Sequence, residues 1–215
     1  TVYHGGYVVG LIFTLMFTVV ALSIERYFAL RTAFGKSSLT KFVQEVKAAV
    51  KANDFNKARE LCNKQQGSVA NVVLASVNAY CEMENTSGIK KAQKVAKIQQ
   101  AHEEATQLEM PTLQMNLPII ATIVTLGTLT ALFGTVLGMI GSFQALAAGG
   151  GGDSMALSLG ISEALVNTAS GIATSWVAVV AYNTYTNKID KLTYALDEVG
   201  YTIAQTYEAN HTEEA

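Results

Sequence analysis

The sequence predicts an all-α membrane protein with three transmembrane helices, whose long helices extend into a cytoplasmic helical bundle. Half of the 215 residues are hydrophobic and only 15% are charged, whereas soluble domains usually carry about 25% charged residues. The long apolar runs are confined to residues 1–31 and 116–187, and residues 32–115 are polar. This segregation is typical of membrane spans joined to a water-facing domain rather than of one globular core.

The first predicted span covers residues 8–24. Tyr3 and Tyr7 flank it on one side, and Arg26, Tyr27 and Arg31 flank it on the other. Aromatic and basic side chains at both ends are typical of the membrane interface. A signal peptide is the alternative, but no basic residue precedes the run and no clear small-residue cleavage site follows it. The pattern therefore favours a membrane span.

The second and third spans form a predicted helical hairpin. They run from about Leu117 to Leu146 and from about Leu157 to Tyr185, and the glycine-rich turn 147–156 joins them. Both runs exceed the length of about 20 residues that crosses a bilayer core. We therefore expect these helices to tilt or to project beyond the bilayer.

The basic residues predict the orientation. All 15 lysines and arginines fall on one side of a three-span arrangement, in residues 26–115 and 188–215. The positive-inside rule then predicts a periplasmic N-terminus and a cytoplasmic C-terminus. The expected parts are a periplasmic stub with the first span (1–31), a cytoplasmic helical domain (32–115), the hairpin (116–187) and a cytoplasmic C-terminal helix and tail (188–215).

The polar segment is predicted to be helical. Apolar residues recur at helical spacing over residues 39–52, and further helices are expected over 55–64, 68–84 and from about 89 through 110 into the second span. Asp54 and Ser68 are the candidate caps. Pro111 and Pro118 are candidate kinks in the last of these helices.

Enzymatic chemistry receives no support from the residues. Cys62 and Cys81 do not form a CxxC motif and are predicted to be free thiols, and the three histidines are scattered. The run GGGGDS is not followed by GK[ST], so it is not a P-loop. Dense basic patches with interleaved aromatics are missing from the sequence, which disfavours nucleic-acid binding. No metal site or cofactor is predicted.

Glu163 is the one acidic residue inside an apolar span. A charged side chain at the bilayer centre costs at least about 2.5–3.5 kcal/mol on insertion scales, so such a residue is a functional candidate. The alternative is a carboxylate that reaches the interface near the N-terminus of its helix, where the helix dipole favours it.

Polar and small residues follow one side of each hairpin helix. Thr128, Thr135 and Ser142 recur every seven residues in the second span. In the third span the polar positions include Asn167, Thr168 and Ser175. These side chains predict either helix packing or a hydrated pore. The small residues beside them are candidates for close helix packing, namely Gly134, Gly138, Gly141 and Gly171.

Hairpin geometry connects the two helices. Thr135 lies sixteen residues before Gly151, near the centre of the turn, and Thr168 lies seventeen residues after it. At a rise of about 1.5 Å per residue, the two threonines are expected at similar depth. Glu163 is expected about one turn nearer the loop, so the three side chains can form one polar layer.

Two stretches of the hairpin resemble a known family. ALFGTVLGMIGSF (131–143) and GISEALVNTASGIATSWVAVVAYN (160–183) are similar to the second and third spans of ExbB and TolQ proteins, in the proton-driven motor family that also includes MotA. Within this family, the sequence resembles ExbB more than TolQ. The resemblance implies a bacterial inner-membrane homopentamer around a pore that holds a single-span ExbD- or TolR-like partner, with a TonB- or TolA-like protein as a further partner.

The resemblance also implies residue roles. By motif position, Thr135, Glu163 and Thr168 match the family's functional polar residues on the proton pathway. The implied function is to couple the proton motive force to TonB-dependent outer-membrane transport, with TolQ-type envelope maintenance as the alternative. Two other classes stay open from the residues alone: a non-conducting membrane scaffold and a self-sufficient channel.

Overall fold

The computed structural model describes residues 6–148 and 154–211. Within these ranges the chain forms seven α-helices: α1 Gly6–Phe34, α2 Leu39–Lys51, α3 Phe55–Gln65, α4 Ser68–Asn85, α5 Lys91–Gln114, α6 Leu117–Ala148 and α7 Ser154–Asn210. Three of the described helical segments are long and apolar enough to cross a membrane, as the sequence predicts; they contain the predicted spans. Part of the predicted N-terminal stub (1–5), the centre of the turn (149–153) and the last residues (212–215) lie outside the described residues.

The helix ends agree closely with the sequence pattern in the polar segment, with one exception at a cap. The Asp54 carboxylate accepts a hydrogen bond from the Lys57 amide at 3.0 Å and caps α3, as predicted. Ser68, in contrast, is the first residue of α4, and Gly67 is its N-cap. Gly67 has φ +85°, and a Cβ there would lie 2.6 Å from the Thr32 carbonyl oxygen. Glycine fits this position because the backbone is left-handed and closely approached.

The expected continuous helix from residue 89 into the second span is wrong. α5 ends at Gln114, and Asn116 adopts φ +64° before α6 begins at Leu117. Asparagine tolerates the left-handed conformation and is a favoured N-cap; the Asn116 carbonyl accepts a hydrogen bond from the Ile120 amide at 3.2 Å. Pro118 lies in the first turn of α6, where its missing N–H has no helical partner to lose. Pro111 lies inside α5.

The chain divides into two compact units. We call them the membrane unit, which contains α1 as far as Arg26 together with Asn116–Thr186, and the polar unit, which contains Tyr27–Met115 and the chain from Asn187 onward. The core of the membrane unit is formed by aliphatic and small side chains, including Ile12, Val19, Ile120, Ala131, Ala164 and Ala178.

The polar unit has a core of larger side chains. Phe42, Val46 and Val50 of α2 are buried, as the helical spacing of their sequence predicts. The Tyr80 ring contacts Phe55 and Tyr207, with centroids 4.3 and 4.9 Å apart. Cys62 and Cys81 are free thiols. Burial raises the pKa of the Cys62 thiol to about 12, so this cysteine stays protonated and behaves as a small apolar side chain.

Candidate functional site

The hairpin of α6 and α7 brings the polar residues of the two spans together in a regular ladder. Opposite residues along it are Ser142 and Gly160, Gly138 and Ala164, Thr135 and Thr168, Ala131 and Gly171, and Thr128 and Ser175. Each step advances by about one turn on both helices, which run antiparallel. Small residues on at least one side of most steps let the two backbones approach closely.

Thr135 and Thr168 form the centre of this ladder. Their hydroxyl oxygens are 2.6 Å apart. The Thr135 hydroxyl also lies within hydrogen-bond distance of the Ala131 and Ala164 carbonyls, at 2.9 and 3.3 Å, and the Thr168 hydroxyl lies 3.2 Å from the Ala164 carbonyl. The similar depth predicted for the two threonines is therefore confirmed. Since a hydroxyl both donates and accepts, the pair offers a small chain of exchangeable protons.

Glu163 lies five residues before Thr168 on α7 and is half-buried. Its carboxylate has no hydrogen bond or ion pair to any of residues 6–148 and 154–211. The structure thus joins the two threonines directly, and Glu163 lies more than one turn nearer the loop, outside that hydrogen bond.

The other polar positions lie within the helix contacts of this chain. Thr128 and Ser175 pair with each other, with their hydroxyl oxygens 2.9 Å apart. The Ser142 hydroxyl donates to the Gly138 carbonyl at 2.8 Å, and Ser142 is only 2% exposed. Asn167 is 1% exposed. Inside one chain, burial of Ser142 and Asn167 favours packing over lining a pore, and a pore role for these four residues stays a prediction.

Asn167 has an unusual environment. A Cβ at Gly134 would meet the Asn167 amide nitrogen at 2.9 Å, so the amide occupies the space that glycine leaves open. Its Oδ1 is buried without a hydrogen-bond partner among the described residues. A buried amide oxygen without a partner costs about 1–3 kcal/mol.

The glycines divide into two groups. A Cβ at Gly138 would meet the Gly160 carbonyl oxygen at 3.2 Å, and one at Gly171 would meet the Gly127 carbonyl oxygen at 2.6 Å. Together with Gly134, these residues lie in helix contacts. Gly141 does not: it is exposed, and a Cβ there would meet nothing within 4 Å. Gly160, which the sequence analysis did not single out, packs against Ser142, and the hairpin register that pairs Thr135 with Thr168 could have identified it.

The helices and the hairpin contacts define the general class of protein to which this chain belongs. Three long apolar helices, two of which form a hairpin with polar side chains between them, are the features of an α-helical membrane protein. The chain belongs to the MotA/TolQ/ExbB proton channel family, whose profile matches residues 65–198. The match contains the whole hairpin and the second half of the polar segment.

Individual relatives include both branches of this family. The Tol-Pal system protein TolQ of Pseudomonas aeruginosa is 26% identical over 203 residues, which cover 90% of this chain and 84% of that protein. A Synechocystis protein named ExbB-like 3 is 34% identical over 87 residues, and the TolQ of Haemophilus influenzae is 32% identical over 88 residues. These two matches cover only 41% and 39% of the relatives' own lengths. The preference for ExbB is not confirmed.

Proposed function

We propose that this chain is the ring-forming subunit of an inner-membrane motor that is driven by the proton motive force. The observation that carries the proposal is the Thr135–Thr168 hydroxyl pair in the middle of an apolar hairpin, with a half-buried carboxylate, Glu163, more than one turn away. Membership of a proton channel family supports it. A unit charge that crosses 100 mV releases about 2.3 kcal/mol, which is enough to bias a conformational step.

In the proposed assembly, five copies surround a pore, and a single-span ExbD- or TolR-like protein occupies it. The N-terminus is periplasmic, and residues 32–115 and the C-terminal tail from residue 188 are cytoplasmic, because all basic residues fall on that side of a three-span arrangement. The partner supplies an acidic residue that Thr135 and Thr168 face, and Glu163 exchanges protons or orders the water that does. The partner's movement is then transmitted to a TonB- or TolA-like protein.

The branch of the family decides what the motor energises. The sequence motifs favour TonB-dependent outer-membrane transport, of the ExbB type. The long match to a TolQ favours envelope maintenance instead, and it is the specific observation for this second candidate. Restoring a TolQ-deficient strain and an ExbB-deficient strain with the same gene, each with its own partner, separates the two.

Glu163→Gln tests the role of the carboxylate. The amide keeps the size and hydrogen-bonding capacity of the side chain but cannot ionise. We expect loss of energy-dependent growth while native mass spectrometry still shows the ring with its partner. Glu208→Gln, at an exposed position of the same helix beyond the apolar run, is the matched control and should remain active. Full activity of Glu163→Gln would refute a protonation role and favour a scaffold.

A further inference from the structure

Helix α5 of the polar unit presents an exposed face that is apolar and acidic. Leu108, Pro111 and the C-cap residue Met115 recur on one side of the helix, and Leu108 and Met115 are 80% and 53% exposed. Glu104 is exposed one turn before Leu108 on the same side; its carboxylate accepts a hydrogen bond from the Gln100 amide at 2.7 Å, which leaves the charge in place. We call Glu104, Leu108, Pro111 and Met115 the α5 stripe. Apolar side chains in a row are unfavourable in water, so the stripe is a candidate contact surface.

The stripe lies in an acidic part of its helix. Residues 98–114 contain Glu103, Glu104 and Glu109, but no lysine or arginine. A surface that fits the stripe should therefore be apolar at its centre and basic at its edge.

A groove with this character lies elsewhere on the polar unit. It encloses about 1180 Å³ between the C-terminal end of α1, the length of α2 and the middle of α7, and all of its lining residues belong to the polar unit. Leu30, Phe34 and Val43 are among the apolar side chains that line it. Within the described part of the chain, α5 contributes no residue to this lining. The stripe and the groove are therefore two separate surfaces of the same chain.

The groove has a basic rim. Arg31, Lys51 and Lys191 line it and are exposed, and none of the three forms an ion pair within residues 6–148 and 154–211. Lys47 and Glu198 also line the groove, but they pair with each other at 2.6 Å and add no net charge. The charge of the rim is thus opposite to that of the stripe.

Stripe and groove lie at similar distances from the predicted membrane spans. Leu108 precedes Leu117, where the second span begins, by nine residues. Ala195, which lines the groove, follows Tyr185, where the third span ends, by ten residues. At a rise of about 1.5 Å per helical residue, both positions are expected about 14–15 Å beyond their spans. In a ring whose axis crosses the membrane, neighbouring copies meet at equal depth, and a contact between two different surfaces of one chain can close such a ring.

We propose that the α5 stripe of one copy occupies the groove of the next copy around the ring. Leu108 contacts Ala195 and the apolar floor of the groove, and Glu104 faces the rim at Lys51. The inference rests on the proposed ring and adds the surfaces that join its subunits outside the bilayer. A second copy is the occupant because each chain carries one stripe and one groove of matching charge, so a closed ring covers all of them.

Disulfide cross-linking between two versions of the full chain tests this contact. Both versions carry Cys81→Ala, whereas Cys62 is 2% exposed and is left in place. One version carries Leu108→Cys, the other carries Ala195→Cys and a tag that changes its mass, and both are produced in the same membrane and oxidised with copper phenanthroline. We expect a dimer of one version with the other, and none when either version is present alone. Replacing Leu108→Cys by Glu103→Cys, about 140° around the same helix, is the matched control and should abolish the cross-link.

The outcomes separate this proposal from the motor function. A ring in native mass spectrometry without the mixed cross-link would overturn the interface and leave the motor intact, whereas a protein that forms no ring would overturn both. Dimers of the Leu108→Cys version alone would show that two stripes meet each other, which would also overturn the proposal. An equal yield from Glu103→Cys would mean random collision.

Charge reversal tests the complementarity directly. Glu104→Lys in the Leu108→Cys version should lower the yield of the mixed cross-link by about two- to fivefold, and Lys51→Glu in the Ala195→Cys version should restore it. Glu60→Lys, which makes the same charge change at an exposed position of α3, is the control and should leave the yield unchanged. Yields that did not respond to Glu104→Lys, or that fell equally with Glu60→Lys, would overturn the pairing of the stripe with the basic rim.

Discussion

The two units of this protein pack their helices with side chains of different size. In the membrane unit the helices meet through glycine, alanine and serine, and large side chains such as Phe17 and Trp176 are 73% and 68% exposed. In the polar unit large side chains are buried instead, and Tyr80 and Tyr207 are each 1% exposed. The difference follows from the solvent: water drives large apolar side chains inward, whereas lipid does not.

The hydroxyl groups of the apolar helices also reflect the lipid that surrounds them. Those of Thr14, Thr18, Thr122 and Thr184, in the apolar helices, each donate to the backbone carbonyl four residues earlier. Lipid offers no hydrogen-bond partners, so a polar side chain in a span must find one within the protein. Some hydroxyls also meet across helices, Thr135 with Thr168 and Thr128 with Ser175, and these pairs are thereby marked as sites of specific contact.

The largest effect should come from Gly171→Val in the membrane unit. A Cβ at Gly171 would lie 2.6 Å from the Gly127 carbonyl oxygen, which is backbone and cannot rotate away. Overpacking typically costs about 1–3 kcal/mol, and we expect the upper end or more here, with loss of assembly in native mass spectrometry. Gly141→Ala is the control, because a Cβ there meets nothing within 4 Å. If both variants assembled equally well, close packing of the hairpin would not be required.

Gly200→Ala should destabilise the polar unit by about 1–3 kcal/mol. The new Cβ would lie 2.6 Å from the His102 ring, which is buried and lies 2.9 Å from the Ser76 hydroxyl through Nδ1. Thermal unfolding of the full chain in detergent measures the loss. Combining it with His102→Ala should cost less than the two changes separately, because the smaller side chain removes the clash. Strict additivity would show that the ring moves aside freely.

The stability of the polar unit should depend on pH through His102, and this effect should be smaller than those of the two glycine substitutions. Burial lowers the pKa of this imidazole, and the charges of Asp197 and Glu103 oppose that shift. Because the unfolded chain then binds the proton more readily, stability should fall as the pH drops through the unfolded pKa of about 6.5, and level off below the folded pKa. The slope cannot exceed about 1.4 kcal/mol per pH unit for one proton.

Hydrogen exchange of the α4 amides between pH 7.5 and 5 measures this effect. His102→Gln, which cannot titrate in this range, should remove the part of the slope that the imidazole contributes. The same substitution at another histidine, His211→Gln, provides the comparison. An unchanged slope in His102→Gln would show that another group causes the pH dependence.

The smallest expected effect is that of Ser175→Ala, which removes one interhelical hydroxyl contact of the membrane unit. Such contacts contribute about 0.6 kcal/mol on average in a membrane protein. Thr122→Ala is the matched control, because its hydroxyl bonds only to its own helix, at the Pro118 carbonyl. Reversible unfolding in mixed micelles compares the two. If Thr122→Ala cost as much as Ser175→Ala, the contact across the hairpin would contribute nothing specific.

The sequence by itself determined the three apolar helices, the ends of α2 and α3 and the shared depth of Thr135 and Thr168. These follow from hydropathy, helical spacing and a fixed rise per residue, all of which are local properties. Glu163 could likewise be singled out because a charge in an apolar run is costly wherever the helix packs. The family resemblance rested on the same contiguous stretches.

Only the tertiary structure decided which way each polar side chain faces. Asn167 and Ser142 belong to polar stripes in the sequence, yet they are enclosed by neighbouring helices, and Gly141 is open although it lies beside glycines that pack. The break at Asn116 and the groove beside α2 were equally invisible, because each depends on backbone torsions or on residues far apart in the chain. A periodic pattern indicates that one face of a helix is polar, and the position of the neighbouring helices determines what that face contacts.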